Sequence, residues 1–192
     1  MSTTRWLLSF CLLNSCLMLG VSRAAVLDPS GLVSIEPSHS AAPAASSSAK
    51  ARVWVFLSAK CPCSHSHLEK LRQTSRELGP RGIDFIALHS NQDEEVALAR
   101  EYFSSAKLGF PVYRDAGARL ANELGALKTP HVFVEGPDHR ILYEGGIDDS
   151  KRAESTEANY LRDALLDVLA GHEVQRSRSR SLGCAISRKS KS

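Results

Sequence analysis

Nothing in the 192 residues repeats, so the chain is not an array of small stacked units. It carries little net charge, +3 from 24 basic and 21 acidic side chains, too little to point to a nucleic-acid partner. It also lacks an apolar run long enough to span a bilayer. The best stretch, residues 6–21, falls short of the ~20 apolar residues required and is diluted by Ser9, Asn14 and Ser15. That stretch follows Arg5 and precedes Ser22, Arg23 and Ala24, the arrangement of a secretory signal cleaved after Ala24. An uncleaved anchor fits less well. Lipid attachment at Cys16 fits less well again, because Asn14 is bulky where a small residue is needed. The expected location is the periplasm or the exterior.

Cysteine is scarce too. Cys11 and Cys16 leave with the signal, so Cys61, Cys63 and Cys184 remain. An odd number is a poor plan for disulfide staples in an oxidising compartment and suits a thiol that reacts.

What is present describes one soluble domain, with 43% apolar and 23% charged residues. Residues 25–50, rich in Ala, Pro and Ser, read as a linker or arm, with a short edge strand within 26–35. Residues 52–58, RVWVFLS, form a buried strand by composition. Pro62 then opens a helix with Leu68, Leu71 and Leu78 at helical spacing, stopped by Gly79 and Pro80. A strand over 83–90, an acid-started helix over 93–106, a short strand at 110–115 and a short helix at 118–126 follow. Residues 131–136 and 140–146 read as a hairpin, and an amphipathic helix started by Ser155 or Thr156 runs to Gly171. Strands alternating with helices predict a mixed sheet, parallel at its centre, with helices on both faces. Trp54, Phe56, Phe85, Val132 and Phe133 are expected core. Asp115, Asp148 and Asp149 read as caps or turn residues, Glu94 and Glu95 as helix starters, and His89 as structural.

Cys61 stands just before Pro62, a residue favoured at the first helical position. A thiol there meets unpaired backbone N–H groups and the positive end of the helix dipole, which favour the thiolate. Neighbouring Lys60 adds positive charge. Cys61 is the expected nucleophile.

The element order, with FLSAKCPCS, FPVYRDAGARLANELGALKTPHVFV, ILYEGGIDDS and the terminal SLGCAI, resembles the thioredoxin fold, and within it the redoxin or peroxiredoxin-like secreted proteins. The resemblance spans about residues 50–172. It implies thiol–disulfide exchange with a protein thiol or disulfide partner, without a bound cofactor. It also implies that Thr129 and Pro130 are the cis-proline site offering backbone to an incoming peptide, with His131 near Cys61. Two departures matter. Ser64 stands where thioredoxins place their second cysteine, and Cys63 takes the proline's place. The resolving thiol is then Cys63, through a small strained ring, or Cys184, reaching back on the tail. For peroxidase chemistry, Ser58 stands in for the threonine of the peroxiredoxin motif, but Trp54 stands where its proline belongs.

A different class of function uses the same segment. Cys61 with His65, and Cys63 with His67, are four residues apart on helix faces, and thiolate and imidazole suit copper. Copper-delivery proteins of the Sco type share the fold, yet space their cysteines four apart. The plainer reading has His65 and His67 tuning a thiol or facing solvent. The basic stretch 174–192 reads as a disordered tail, or as a contact for an anionic membrane surface. Export disfavours nucleic acid there.

Overall fold

Strand β2 (Ala51–Phe56) is buried along its whole length, and its alternation divides the core in two. Val53 and Val55 face one way, with Leu57 beyond the strand end. They meet Leu68, Leu71 and Leu78 of α1 (Pro62–Leu78), Ala99 and Phe103 of α2 (Val96–Ala106), and Leu161 and Leu165 of α4 (Tyr160–Ala170). Trp54 and Phe56 face the other way, against Leu120 and Ala121 of α3 (Arg119–Glu123) and Phe133. Each fully buried large apolar side chain contributes about 1.5–3 kcal/mol over its exposed state. The computed structural model describes residues 27–35 and 48–188. The signal segment, its cleavage point and most of the arm lie outside them. Among the described residues no helix is long and apolar enough to cross a membrane.

The central sheet has the order β1-β4-β3-β2-β6-β7. Here β1 is Val33–Ser34, β3 Ile83–His89, β4 Val112–Arg114, β6 His131–Glu135 and β7 Ile141–Gly145. Strands β2, β3 and β4 run parallel to one another, while β6 and β7 are antiparallel additions, so the sheet is mixed. Three helices cover one face and α3 the other. This is the expected thioredoxin-like α/β architecture. Gly82, at φ 101, makes the left-handed turn that lets the chain leave the end of α1 and enter β3. A second ladder of two strands, β5 (Lys128–Thr129) and β8 (Cys184–Ala185), lies apart from the main sheet.

The described segments on either side of the expected domain, residues 51–173, pack against it. Residues 27–35 join the domain: Leu27, Leu32 and Ile35 are buried, and β1 is the expected edge strand, paired with β4. The folded unit therefore begins before residue 51. Composition predicts disorder for residues 174–188, yet they are docked. The backbone of Ser177 and Ser179 bonds Glu144 on β7, and the Ser179 hydroxyl meets the Tyr143 hydroxyl at 2.7 Å. Ile186 is buried with the second core cluster. The reason is physical: backbone and serine hydroxyl groups make these bonds, and they leave no apolar periodicity to read. Three arginines of this stretch contact other parts of the chain. Arg178 contacts Glu144, Arg176 lies over the Tyr160 ring, and Arg188 reaches Asn122. Helix α4 also starts later than expected, at Tyr160, because Thr156 gives its hydroxyl to Asp148.

Candidate functional site

The loop between β2 and α1 is clamped before it delivers its cysteine. The Ser64 hydroxyl, inside the first turn of α1, accepts the Ser58 amide at 3.2 Å. The Glu94 carboxylate accepts the Ser58 hydroxyl and, at 2.9 Å, the Ala59 amide. Lys60 donates its amide to the Ser58 oxygen at 3.1 Å. Glu94, a helix starter by sequence, is buried and holds this loop. Nothing in sequence marks that burial, because its partners lie 35 and 36 residues away. Ser58, standing where a peroxidase would carry threonine, has its hydroxyl committed to Glu94 and Lys60.

Cys61 caps α1 in an extended conformation with Pro62 following at the first helical position. Its side chain is 2% exposed, and its sulfur lies 3.0 Å from the Thr129 carbonyl oxygen and 2.8 Å from the Cys184 sulfur. Burial is the largest single influence on its acidity and opposes ionisation. Hydrogen bonding from the Cys184 thiol, the Ser64 amide and the Thr129 side chain outweighs it, and the pKa falls to about 7. Lys60 is not among the leading influences. Its ammonium reaches toward the Asp93 carbonyl at 3.4 Å, so the expected help from its charge is replaced by hydrogen bonding.

Cys184 behaves oppositely. Its hydrogen bond to Cys61, its desolvation and the Cys61 charge push its pKa up to about 12. The two shifts run in opposite directions, favouring the thiolate on Cys61 and the thiol on Cys184. Cys63, half-buried on the first turn, is raised by burial and by the charge of Cys61, and stays a neutral thiol. Among the described residues, Cys61, Cys63 and Cys184 are free.

The Thr129–Pro130 peptide is cis, and it carries the carbonyl that faces Cys61. Ladder β5–β8 pairs Thr129 with Cys184 and Lys128 with Ala185, which is what brings the second sulfur in. His131 opens β6 opposite Phe56 and packs on the Phe133 ring at 4.6 Å; burial lowers its pKa, so it stays neutral.

The metal-ligand set does not assemble. His65 turns to the Tyr102 hydroxyl at 3.0 Å. His67 is buried, its Nδ1 2.7 Å from the Cys63 carbonyl and its Nε2 3.1 Å from Asp148. Among the described residues no three His, Cys, Asp or Glu side chains converge to hold an ion.

Asp148, a cap by sequence, is instead the hub beneath α1. It accepts His67, the Lys70 ammonium at 2.5 Å, the Thr156 hydroxyl at 2.7 Å and the Ser150 amide at 3.0 Å. Burial works against its charge, but these donors win and hold its pKa well below the usual carboxylate range. A signal did exist. His67 and Lys70 sit three apart on the half-buried side of α1, beside Leu68 and Leu71, and two such groups need an acid.

A family model described as Redoxin matches residues 41–162, well over half of the chain. The match includes Cys61, Cys63 and Pro130 and ends before Cys184. No curated protein matches the sequence. Among solved structures, a hypothetical protein from Sinorhizobium meliloti aligns with TM-score 0.68 at 26% identity, over 75% of this chain and 82% of that one. An uncharacterized conserved protein from Geobacillus kaustophilus aligns with TM-score 0.69 at 24% identity, over 74% and 79%. A thioredoxin-like protein in its oxidized form shares the fold, at TM-score 0.53 and 15% identity over 65% and 81%. With the family match covering residues 41–162, Cys61 and the cis-proline among them, the chain belongs to the redoxin family.

Proposed function

We propose that the protein is an exported thiol–disulfide oxidoreductase in which Cys61 attacks and Cys184 resolves. The observation that carries this reading is the 2.8 Å approach of the two sulfurs at a helix N-terminus. The signal-like segment 1–24 supports the export.

The Cys61 thiolate attacks one sulfur of a partner disulfide. The partner's S–S bond breaks, its other sulfur leaves as thiolate and takes a proton from water, and a mixed disulfide remains on Cys61. Once the Cys61 sulfur is bonded and uncharged, two of the influences that hold the Cys184 proton disappear. Cys184 then gives up that proton and attacks the Cys61 sulfur. The partner's first sulfur leaves and is protonated. The partner has gained two electrons as a dithiol, and Cys61–Cys184 is a disulfide. A dithiol reductant restores the pair by the same exchange in reverse, and the reverse sequence oxidises a partner dithiol.

The deciding experiment compares Cys184→Ser with Cys63→Ser after incubation with a disulfide-bonded protein such as insulin. Mass spectrometry is expected to find mixed disulfide on Cys61 accumulating on the order of tenfold in Cys184→Ser, with Cys63→Ser like wild type. The reverse pattern would move the resolving role to Cys63.

A further inference from the structure

Strand β8 brings a second sulfur to 2.8 Å from that of Cys61, and its fit is specific. Gly183, the residue before Cys184, lies against the cis-proline peptide. A Cβ there would stand 2.0 Å from the Thr129 carbonyl oxygen, 2.7 Å from its carbon and 3.2 Å from Pro130 Cδ. Two of these atoms are backbone, held in the β5–β8 ladder, so no side chain is accommodated without moving the strand. Cys184 and Ala185 then pair with Thr129 and Lys128, and the Ile186 amide bonds the Leu127 carbonyl at 3.0 Å. Ile186 turns inward and is 4% exposed, within the cluster that holds Leu120, Ala121 and Ala126. Cys184 and Ala185 are exposed. The segment is thus read at three positions: no side chain before the cysteine, the sulfur itself, and an aliphatic group two residues after it.

A partner's sulfur must come within bonding distance of the same buried Cys61 atom, beside the same carbonyl. We infer that the edge at residues 127–129 selects partner proteins presenting an extended Gly-Cys-x-aliphatic segment, and that β8 is the chain's own copy of that segment, which a partner must displace. The inference rests on the exchange chemistry proposed above and names its substrate class. Main-chain pairing along the edge supplies docking without regard to sequence, while the glycine contact and the apolar pocket supply choice. The tail also sets the order of events. While β8 is paired, Cys61 is covered. When the partner's strand takes the edge the mixed disulfide forms, and resolution follows when β8 returns.

The test uses full-length Cys184→Ser protein and short peptides built on the tail sequence, SLGCAIS. Each peptide cysteine is activated as a mixed disulfide with thionitrobenzoate, whose release is followed by absorbance as Cys61 becomes linked to the peptide. The glycine peptide is expected to react on the order of tenfold faster than one carrying valine before the cysteine, because the misplaced sulfur loses its alignment. It is also expected to react several-fold faster than one carrying serine in place of isoleucine. Equal rates for the three, with normal reaction toward a small aromatic disulfide, would overturn the selectivity and leave the exchange chemistry standing. Failure with the small disulfide as well would remove the chemistry on which the inference rests. A second arm needs no peptide. Gly183→Val places a side chain against Thr129, so Cys61 alkylation by iodoacetamide should rise on the order of tenfold as β8 is pushed away. An unchanged rate would show that Gly183 does not set the fit.

Discussion

Cys61→Ser is expected to lower disulfide reduction by at least ~10³-fold, since the exchange has no other ionised sulfur. Cys63 and Cys184 both have pKa values above that of an ordinary thiol, and losing the influence of Cys61 would return them toward that value without making either one acidic. A serine hydroxyl keeps the size and the cap position but supplies no nucleophile at neutral pH. The pH profile makes the same point in the unmodified protein. With a pKa near 7, the thiolate fraction of Cys61 grows about tenfold between about pH 6 and pH 8 and then levels off. An ordinary cysteine would gain about 75-fold over the same range without levelling. Insulin reduction by the variant and iodoacetamide rates across pH on the wild type check both halves. Retained activity in Cys61→Ser would place the chemistry elsewhere.

Asp148→Ala is expected to cost about 3–5 kcal/mol of folding stability at neutral pH, the range for breaking a buried ion pair. The substitution leaves the Lys70 ammonium, the His67 ring and the Thr156 hydroxyl facing a void. Lys70 keeps 22% side-chain exposure, enough for some rehydration, so the lower end of the range is expected. The sign of the pH dependence follows from the depressed carboxylate. Its folded pKa lies below the unfolded value, so its contribution is complete above about pH 5 and is lost as acid protonates it in the folded state. The stability gap between wild type and Asp148→Ala, measured by urea unfolding, should be large at about pH 7 and narrow toward about pH 3. A gap that stays constant across that range would mean the charge does nothing and only the packing matters.

The centre of the fold is open to a reading of residues one by one. Strand β2 announces itself by β-branched and aromatic residues, α1 by its leucine spacing and Pro62, and Cys61 by its position against that proline. These are local signals, and the structure leaves each in place. What escapes is set by distance along the chain. Glu94 and Asp148 look like helix and turn residues because their acceptor roles depend on donors tens of residues away. The partners of the two histidines in the alternative metal set are hidden for the same reason: Asp148 and Tyr102 hold His67 and His65 from other elements. The tail is hidden differently. Its hold on the body is made of backbone ladders and serine hydroxyls, so an arginine–serine alternation that reads as disorder is compatible with a docked strand. The choice between Cys63 and Cys184 needs that strand, since the 123-residue separation of Cys61 and Cys184 carries no local trace.

Peptide mapping of the full-length protein after mild oxidation tests that pairing most directly. Cys61 joined to Cys184 within one chain, with Cys63 left alkylatable, is the predicted product. A Cys61–Cys63 bridge, or a Cys184 that joins only a second chain, would contradict it.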